Sequence, residues 1–350
     1  RKVTSYHPQP DRLGMLPAKC SLLGSYEYLG PAELGEAARF WQTLSEKINV
    51  RGTRVRAGER LCAVSLVKRF AWAAYFAELI GKDPRAMRLD DLATIAAAEW
   101  LREKPILDPD EVRKNRDSWS GQWLHWNRPD MDEDEEKCPD AVWGTIKEKR
   151  EKQGAPPAYY AILMMDGDRM GQHLRARPGR EHPRTISKAL AKFALHCASK
   201  IVENHLGVLI YCGGDDVLAL LPTTQVCACA QELNAAFREV WSHEVLKGET
   251  GNMATLSAGI AVVHYKEDLR FALDTAREAE RYAKNNGRDI IAITVCRRSG
   301  EHTTALCPWT FVPTVERWVQ AFTPTAGRGS GASDRWARHL YRELPVLKAL

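Results

Sequence analysis

GVLIYCGGDDVLALLP (207–222) reads as two apolar runs of strand length joined through Gly213-Gly214. Two adjacent glycines between such runs signal a tight hairpin, because glycine reaches the positive φ that short turns need. Upstream, YYAILMM (159–165) is another continuous apolar run, and it ends in Asp166-Gly167-Asp168. Between the two lies 185–204, which places Ile186, Leu190, Phe193, Cys197 and Ile201 on one helical face with Lys188 and Lys192 on the other. Downstream come a helical stretch (224–246), a strand (255–263), a helix with alanines at 272, 276, 279 and 283 (268–286, with Gly287 as its C-cap), and a last strand (289–295). The order is β-α-β-β-α-β-α-β, and its first six elements are the ferredoxin-like βαββαβ unit. The expected fold class is therefore α+β, with an antiparallel sheet and helices on one face.

Outside this core the texture is helical. Residues 35–48, 66–80 and 89–104 carry helical apolar spacing, and 141–153 is a short charged segment. The stretch 127–139 is an acidic, Pro-bounded linker, and Gly154, Pro156 and Pro157 mark a boundary. The expected organisation is a mostly helical region (1–150), the α+β domain (151–300) and the start of a C-terminal helical domain (301–350), in which 308–322 and 333–350 are helices separated by a Gly/Ser-rich loop. A chain of 350 residues with 44% hydrophobic and 27% charged residues can bury such cores, which excludes wholesale disorder. No run of 18 apolar residues occurs, so no membrane span is expected. Nine scattered cysteines, odd in number, point to a reducing, cytoplasmic setting rather than a disulfide scaffold. The chain begins at Arg1 and stops inside an apolar stretch, and it reads as a piece of a longer polypeptide.

The fold places chemistry at one end of the sheet. In a βαββαβ sheet the first strand lies beside the third, so Asp166 and Asp168 approach the hairpin tip with Asp215 and Asp216. Carboxylates that close repel and raise one another's pKa, and a hard divalent cation resolves the conflict. Two such ions can clamp the attacking and leaving oxygens of a nucleotidyl transfer. Gly213 and Gly214 let a triphosphate approach the backbone. Arg169, Arg175, Lys284 and Arg288 surround the site in sequence, with Lys284 suited to balance polyphosphate charge. The net charge of +5 is concentrated locally: 169–200 holds eight basic residues and one acid, Glu181. That stretch reads equally as a solvated helix face or as a surface meeting triphosphate or RNA. His173, His182 and His196 show no acid partner and read as surface or core residues. The tryptophans at 100, 119, 123, 126 and 143 read as packing.

At these residues the sequence resembles a known family. YYAILMMDGDRMG (159–171), GVLIYCGGDDVLALLP (207–222) and TLSAGIAVVHY…AREAERYAKNNGRD (255–289) are similar to the GGDD Palm domain of the polymerase- and cyclase-like large subunit of type III CRISPR effector complexes, in its III-B form above all. The last segment is also similar to GGDEF nucleotide cyclases. A weaker likeness runs over 1–80 through KCSLLG and GERLCAVSLVKR.

The resemblance implies conversion of ATP to cyclic oligoadenylate when target RNA is bound by the guide complex. It carries Asp215 and Asp216 over as the catalytic acids, and Asp166 as the first-strand metal ligand, with Asp168 a further candidate. Mg²⁺ or Mn²⁺ is the implied cofactor and ATP the substrate. Gly213, Gly214, Lys284 and Arg288 are the implied nucleotide-binding residues. Guide RNA, target RNA and other effector subunits are the implied partners. The family's zinc knuckle is degenerate here. Cys20 and Cys62 each lack the second cysteine of their Cys-x-x-Cys pair, so packing rather than zinc is expected, even with His7 as a third ligand. No His-Asp dipeptide occurs, so the family's HD nuclease, and its first Palm domain, would lie outside this piece. Two other readings compete. One is a silent scaffold subunit of the same complexes, which the intact acids speak against. The other is a GTP-using signalling cyclase, disfavoured by Val217 where the GGDEF pattern has an aromatic.

Overall fold

The computed structural model describes residues 18–51, 53–56, 58–83, 89–102, 119–129, 138–248 and 251–322. By packing it divides into two compact units. His7, most of the acidic linker and the expected helix 333–350 lie outside the described residues.

The smaller unit contains the helix Leu34–Lys47, the short strands Asn49–Val50 and Thr53–Arg54, and a helical run from Ala63 to Leu79 whose middle turn, Trp72–Phe76, is π-helical. Its core gathers Cys20, Trp41, Val55, Leu61 and Cys62. The Ser65 hydroxyl lies 3.4 Å from Cys20 Sγ and 3.3 Å from Cys62 Sγ. The serine at the place of a missing cysteine thus links both thiols by hydrogen bonds. Cys62 also caps the Ala63 helix, its Sγ accepting from Ser65 N–H.

The larger unit is built on a six-stranded sheet. Its elements are β1 (Tyr159–Gly167), α1 (Met170–Arg175), α2 (Glu181–Lys192, continued through a π turn at Phe193–Ala198 to Ser199–Asn204), β2 (Val208–Cys212), β3 (Val217–Pro222), α3 (Val226–Trp241 with a π turn at Ser242–Leu246), β4 (Leu256–His264), α4 (Leu269–Asn285), β5 (Ile290–Cys296), β6 (His302–Pro308) and α5 (Val312–Phe322). The strand order is β2-β3-β1-β4-β5-β6. Strand β1 is central and pairs antiparallel with both β3 and β4, with Met165 opposite Val217 and Asp166 opposite Ser257. This is the expected α+β palm.

Three expectations about the sheet and its layers need correction. First, the sheet is mixed, because β5 joins β4 in parallel. A parallel connection requires a crossover, and α4 supplies it. The helices therefore cover both faces rather than one. Ala161, Leu163 and Met165 of β1 face a core shared with Phe193 of α2 and with Phe237 and Trp241 of α3. Tyr160 and Ile162 face the opposite way, toward Ala272 and Ala276 of α4 and toward Ala93 and Ile95 of a short helix, Leu92–Ala96. Alternating strand residues facing opposite sides account for the split. Second, the residues 302–308 form an additional edge strand. Its side chains from His302 to Leu306 are exposed, so it carries little of the apolar signal by which strands are read. Third, the hairpin loop has four residues, Gly213–Asp216, closed by a hydrogen bond from Gly213 N–H to Asp216 O of 3.0 Å, with Cys212 opposite Val217.

The helix expected over 89–104 is interrupted. Asp91 caps Leu92–Ala96 by accepting from Thr94 N–H, and a second short helix follows at Ala98–Arg102. The charged segment is helical over Asp140–Gln153. Trp100, Trp123 and Trp126 are buried, as packing requires.

Candidate metal and nucleotide site

Helix α4 reaches the site through a glycine. Asp268 caps it, accepting from Arg270 and Phe271 N–H, and Ala272, Ala276, Ala279 and Ala283 form its buried stripe. Small side chains let a helix lie close to a sheet. The backbones approach closely at Gly259 of β4, where a Cβ would fall 2.2 Å from Glu280 N and 2.4 Å from Ala276 O. Gly259 pairs with Met164 of β1. The next turn of the helix, bearing Lys284, thus lies over the end of β1.

Asp166, Asp215 and Asp216 come together there. Each offers a carboxylate oxygen, and the three oxygens lie within 4.8 Å of one another. Asp166 and Asp215 are partly buried and Asp216 is exposed. Burial raises the Asp215 carboxyl above its ordinary range, and the neighbouring Asp216 adds to it; burial also raises Asp216. Three oxygens at that spacing, two on carboxyls that burial holds above their usual range, suit a hard divalent ion.

Two glycines shape the trio. Gly214 has φ of 108°, and a Cβ there would fall 3.3 Å from Leu190 Cβ of α2. Gly213 lies under the Tyr211 ring, whose hydroxyl would overlap a Cβ there.

Lys284 contacts Asp166 through Nζ and lies 2.9 Å from Glu280 Oε1. Burial, with the Arg288 guanidinium beside it, lowers the Lys284 ammonium to about 8, while its contacts with Asp166 and Glu280 work in the other direction. Burial raises the Glu280 carboxyl.

Asp168 is placed apart from the trio. It is 3% exposed and its oxygens are already engaged. Thr255 Oγ1 donates to Oδ2 at 2.7 Å, Ser257 Oγ to Oδ1 at 2.7 Å, and Asp289 N–H to Oδ2 at 3.0 Å. Arg288 Nη1 stands 3.5 Å from Oδ1. Asp289 is held in turn by Arg238 of α3. Asp168 therefore ties the β1 end to β4 and to the α4–β5 connection.

Beyond Asp168 lies a cavity of about 400 Å³, lined among others by Arg169, His173, Asn252, Arg288 and Asp289. Arg169, Arg288 and Asp289 have φ of 54°, 64° and 53°. Left-handed backbone at non-glycine residues is strained and gathers at functional sites. His173 packs edge-on against Trp241, and burial lowers its pKa. Of the basic stretch 169–200, Arg169 faces this cavity. Arg184 and Lys192 instead make exposed ion pairs with Glu181 and Glu244.

Sequence reasoning brought Asp166, Asp215, Asp216 and Lys284 to one place. It missed Glu280, Gly167 and the donors around Asp168. Glu280 stands four residues before Lys284, a helical spacing visible in the sequence, whereas Thr255 and Ser257 carry no local sign of their role.

Residues 159–292 match the second palm domain of the Cas10/Cmr2 family. The chain is 31% identical over 271 residues to the CRISPR system Cmr subunit Cmr2 of Pyrococcus furiosus, covering 69% of this chain and 29% of that relative. Among solved structures, the Csm1–Csm4 cassette in complex with cA4 aligns at 18% identity with a TM-score of 0.41, over 55% of this chain and 29% of that one. Csm1 of T.onnurineus aligns at 17% identity with a TM-score of 0.40, over 57% and 30%. No helix among the described residues is long and apolar enough to cross a membrane. On the palm match and the identity to Cmr2, the chain belongs to the Cas10/Cmr2 family.

Proposed function

We propose that the palm domain joins ATP molecules into cyclic oligoadenylate in a divalent-metal-dependent reaction, within an RNA-guided complex and on binding of target RNA. The observation that carries this reading is the convergence of Asp166, Asp215 and Asp216 within 4.8 Å at the end of the central strand. Mg²⁺ or Mn²⁺ held by these three would activate the attacking 3′-hydroxyl and stabilise the leaving pyrophosphate. The chain's own groups have separate tasks. The Gly213–Asp216 loop brings two carboxylates to β1 without a side chain in between. Lys284 would supply an ammonium, and Arg288 a guanidinium lining the cavity, for phosphate oxygens. Asp168 keeps the loop bearing Arg288 in place.

Each joining step forms one phosphodiester bond, from a ribose 3′-oxygen to an α-phosphorus, breaks the bond to the pyrophosphate oxygen, and releases the hydroxyl proton to solvent. The chain spans 29% of the curated relative's length, so the full-length protein in its complex is the material for the test. With ATP, Mg²⁺ or Mn²⁺ and target RNA it should yield oligoadenylate, and Asp215→Ala with Asp216→Ala should abolish the product. Persistent product from that double variant would sink the assignment. ATP binding without product in the wild type would favour a scaffold role, and preference for GTP would favour a signalling cyclase.

A further inference from the structure

Lys284 stands between two carboxylates, and only one of them belongs to the trio. Its Nζ contacts Asp166 on β1 and lies 2.9 Å from Glu280 Oε1, one turn earlier on its own helix. The Glu280 and Lys284 side chains are only 12% and 20% exposed. The Glu280 oxygen meets the ammonium at ion-pair distance, but at an angle that makes no hydrogen bond, and no other group satisfies it. Backbone contact at Gly259 fixes the helix turn carrying Glu280 against the sheet, so this carboxylate has little freedom to withdraw.

The ammonium on Asp166 competes with a divalent ion there, because two cations on one carboxylate repel. A metal taking the oxygen that Lys284 contacts must displace the lysine. The lysine stem is long and flexible, and the helix offers a second seat: a glutamate four residues N-terminal to a lysine is the favoured orientation of an intrahelical pair. Resting on the metal reading above, we propose that Glu280 is a positioning residue that receives the Lys284 ammonium and so frees Asp166 for the divalent ion. It touches neither metal nor substrate. It sets how strongly the chain's own cation competes for the metal position, and it keeps that cation within reach of phosphate afterwards.

The test reads Mn²⁺ binding to the full-length protein without nucleotide, by the loss of the free-ion EPR signal. Glu280→Gln leaves Lys284 with Asp166 as its carboxylate and should weaken Mn²⁺ binding about three- to tenfold. Glu280→Asp, which keeps the charge, should recover part of the loss. Lys284→Met should tighten binding. In the Lys284→Met background, Glu280→Gln should have little further effect. A glutamate that merely shaped the helix, or that ligated the metal itself, would weaken binding equally with and without Lys284, and that result would overturn the proposal. So would wild-type affinity in Glu280→Gln. Absence of Mn²⁺ binding in the wild type is a different outcome, and it would overturn the metal reading together with the proposal.

Discussion

Gly167 and Asp215 touch across the sheet: a Cβ built on Gly167 would fall 2.5 Å from Asp215 Oδ2 and 2.8 Å from Asp215 Cβ. The glycine between Asp166 and Asp168 is thus the gap into which the hairpin's first aspartate fits. Its φ is not in the left-handed region, so the constraint is contact rather than backbone strain.

Gly167→Ala should therefore push the hairpin tip away from β1. A single methyl forced into a packed place costs about 1–3 kcal/mol. Thermal melts should show that loss, and Mn²⁺ affinity should fall about tenfold or more, since the carboxylate spacing widens. A variant with wild-type affinity would show that Asp215 does not need this approach.

Asp168 and Asp215 should respond oppositely to loss of charge. Asp168→Asn removes charge-assisted hydrogen bonds from Thr255, Ser257 and the Asp289 N–H, each worth about 1.5–3 kcal/mol, and leaves buried donors unmet. Chemical denaturation should register a loss of about 2–4 kcal/mol, partly offset by relaxation. Asp215→Asn relieves a carboxyl that burial and Asp216 already hold above its ordinary range. It should leave the metal-free protein as stable or slightly more so, while removing Mn²⁺ binding. Equal destabilisation by both would mean the division of labour is wrong.

The same raised carboxyls set a pH dependence. The folded chain holds protons on Asp215 and Asp216 more tightly than the unfolded chain, whose reference value is 3.8. Stability from these groups is thus greatest at the acid end and falls as pH rises from 3.8 through their raised values. Saturating Mg²⁺ or Mn²⁺ should flatten that decline, because the ion binds the ionised form. Melting curves from pH 4 to pH 7, with and without metal, make the comparison.

His125 should govern a separate acid limb. Its ring stacks on Tyr265 at 4.4 Å, and Nε2 is buried without a partner. Burial first, and the nearby His264 next, lower its pKa from 6.5 to about 4. The folded chain keeps it neutral while the unfolded chain protonates it, so this contribution is lost as pH falls from 6.5 toward 4. The loss is on the order of 1–3 kcal/mol. His125→Phe keeps the stack and removes the unmet nitrogen, and it should reduce the slope of stability between pH 6.5 and 4. A slope unchanged in His125→Phe would assign the limb to other groups.

The parts of this fold that were legible in the sequence are those with dense local signals. β1, β2 and β3 are apolar runs, and the glycine pair between β2 and β3 announces a turn. From those three strands alone, Asp166 meets Asp215 and Asp216. What escaped depends on partners distant in sequence. Asp168 looks like a second ligand until Thr255, Ser257 and the Asp289 N–H close around it. The second helical layer escaped because the ferredoxin-like pattern ends at β4, whereas α4 belongs to the crossover that follows. Strand β6 escaped because an exposed edge strand needs no apolar alternation. The distribution of the basic stretch escaped because Glu244, which takes Lys192, is 52 residues away.

Strand β1 is hydrogen-bonded on both sides, with each residue from Tyr160 to Met165 matched to one in β3 and one in β4. A slip of one residue along either neighbour would turn Met165 toward α4 and aim Asp166 into the core beneath α2 and α3. The ladder is thus a vernier for the chemistry. The acid is presented to the hairpin and to Lys284 in one alignment, and a slip of one residue buries a charge. Divalent-ion binding should accordingly act as a proofreader of pairing, reporting whether this sheet has closed in register.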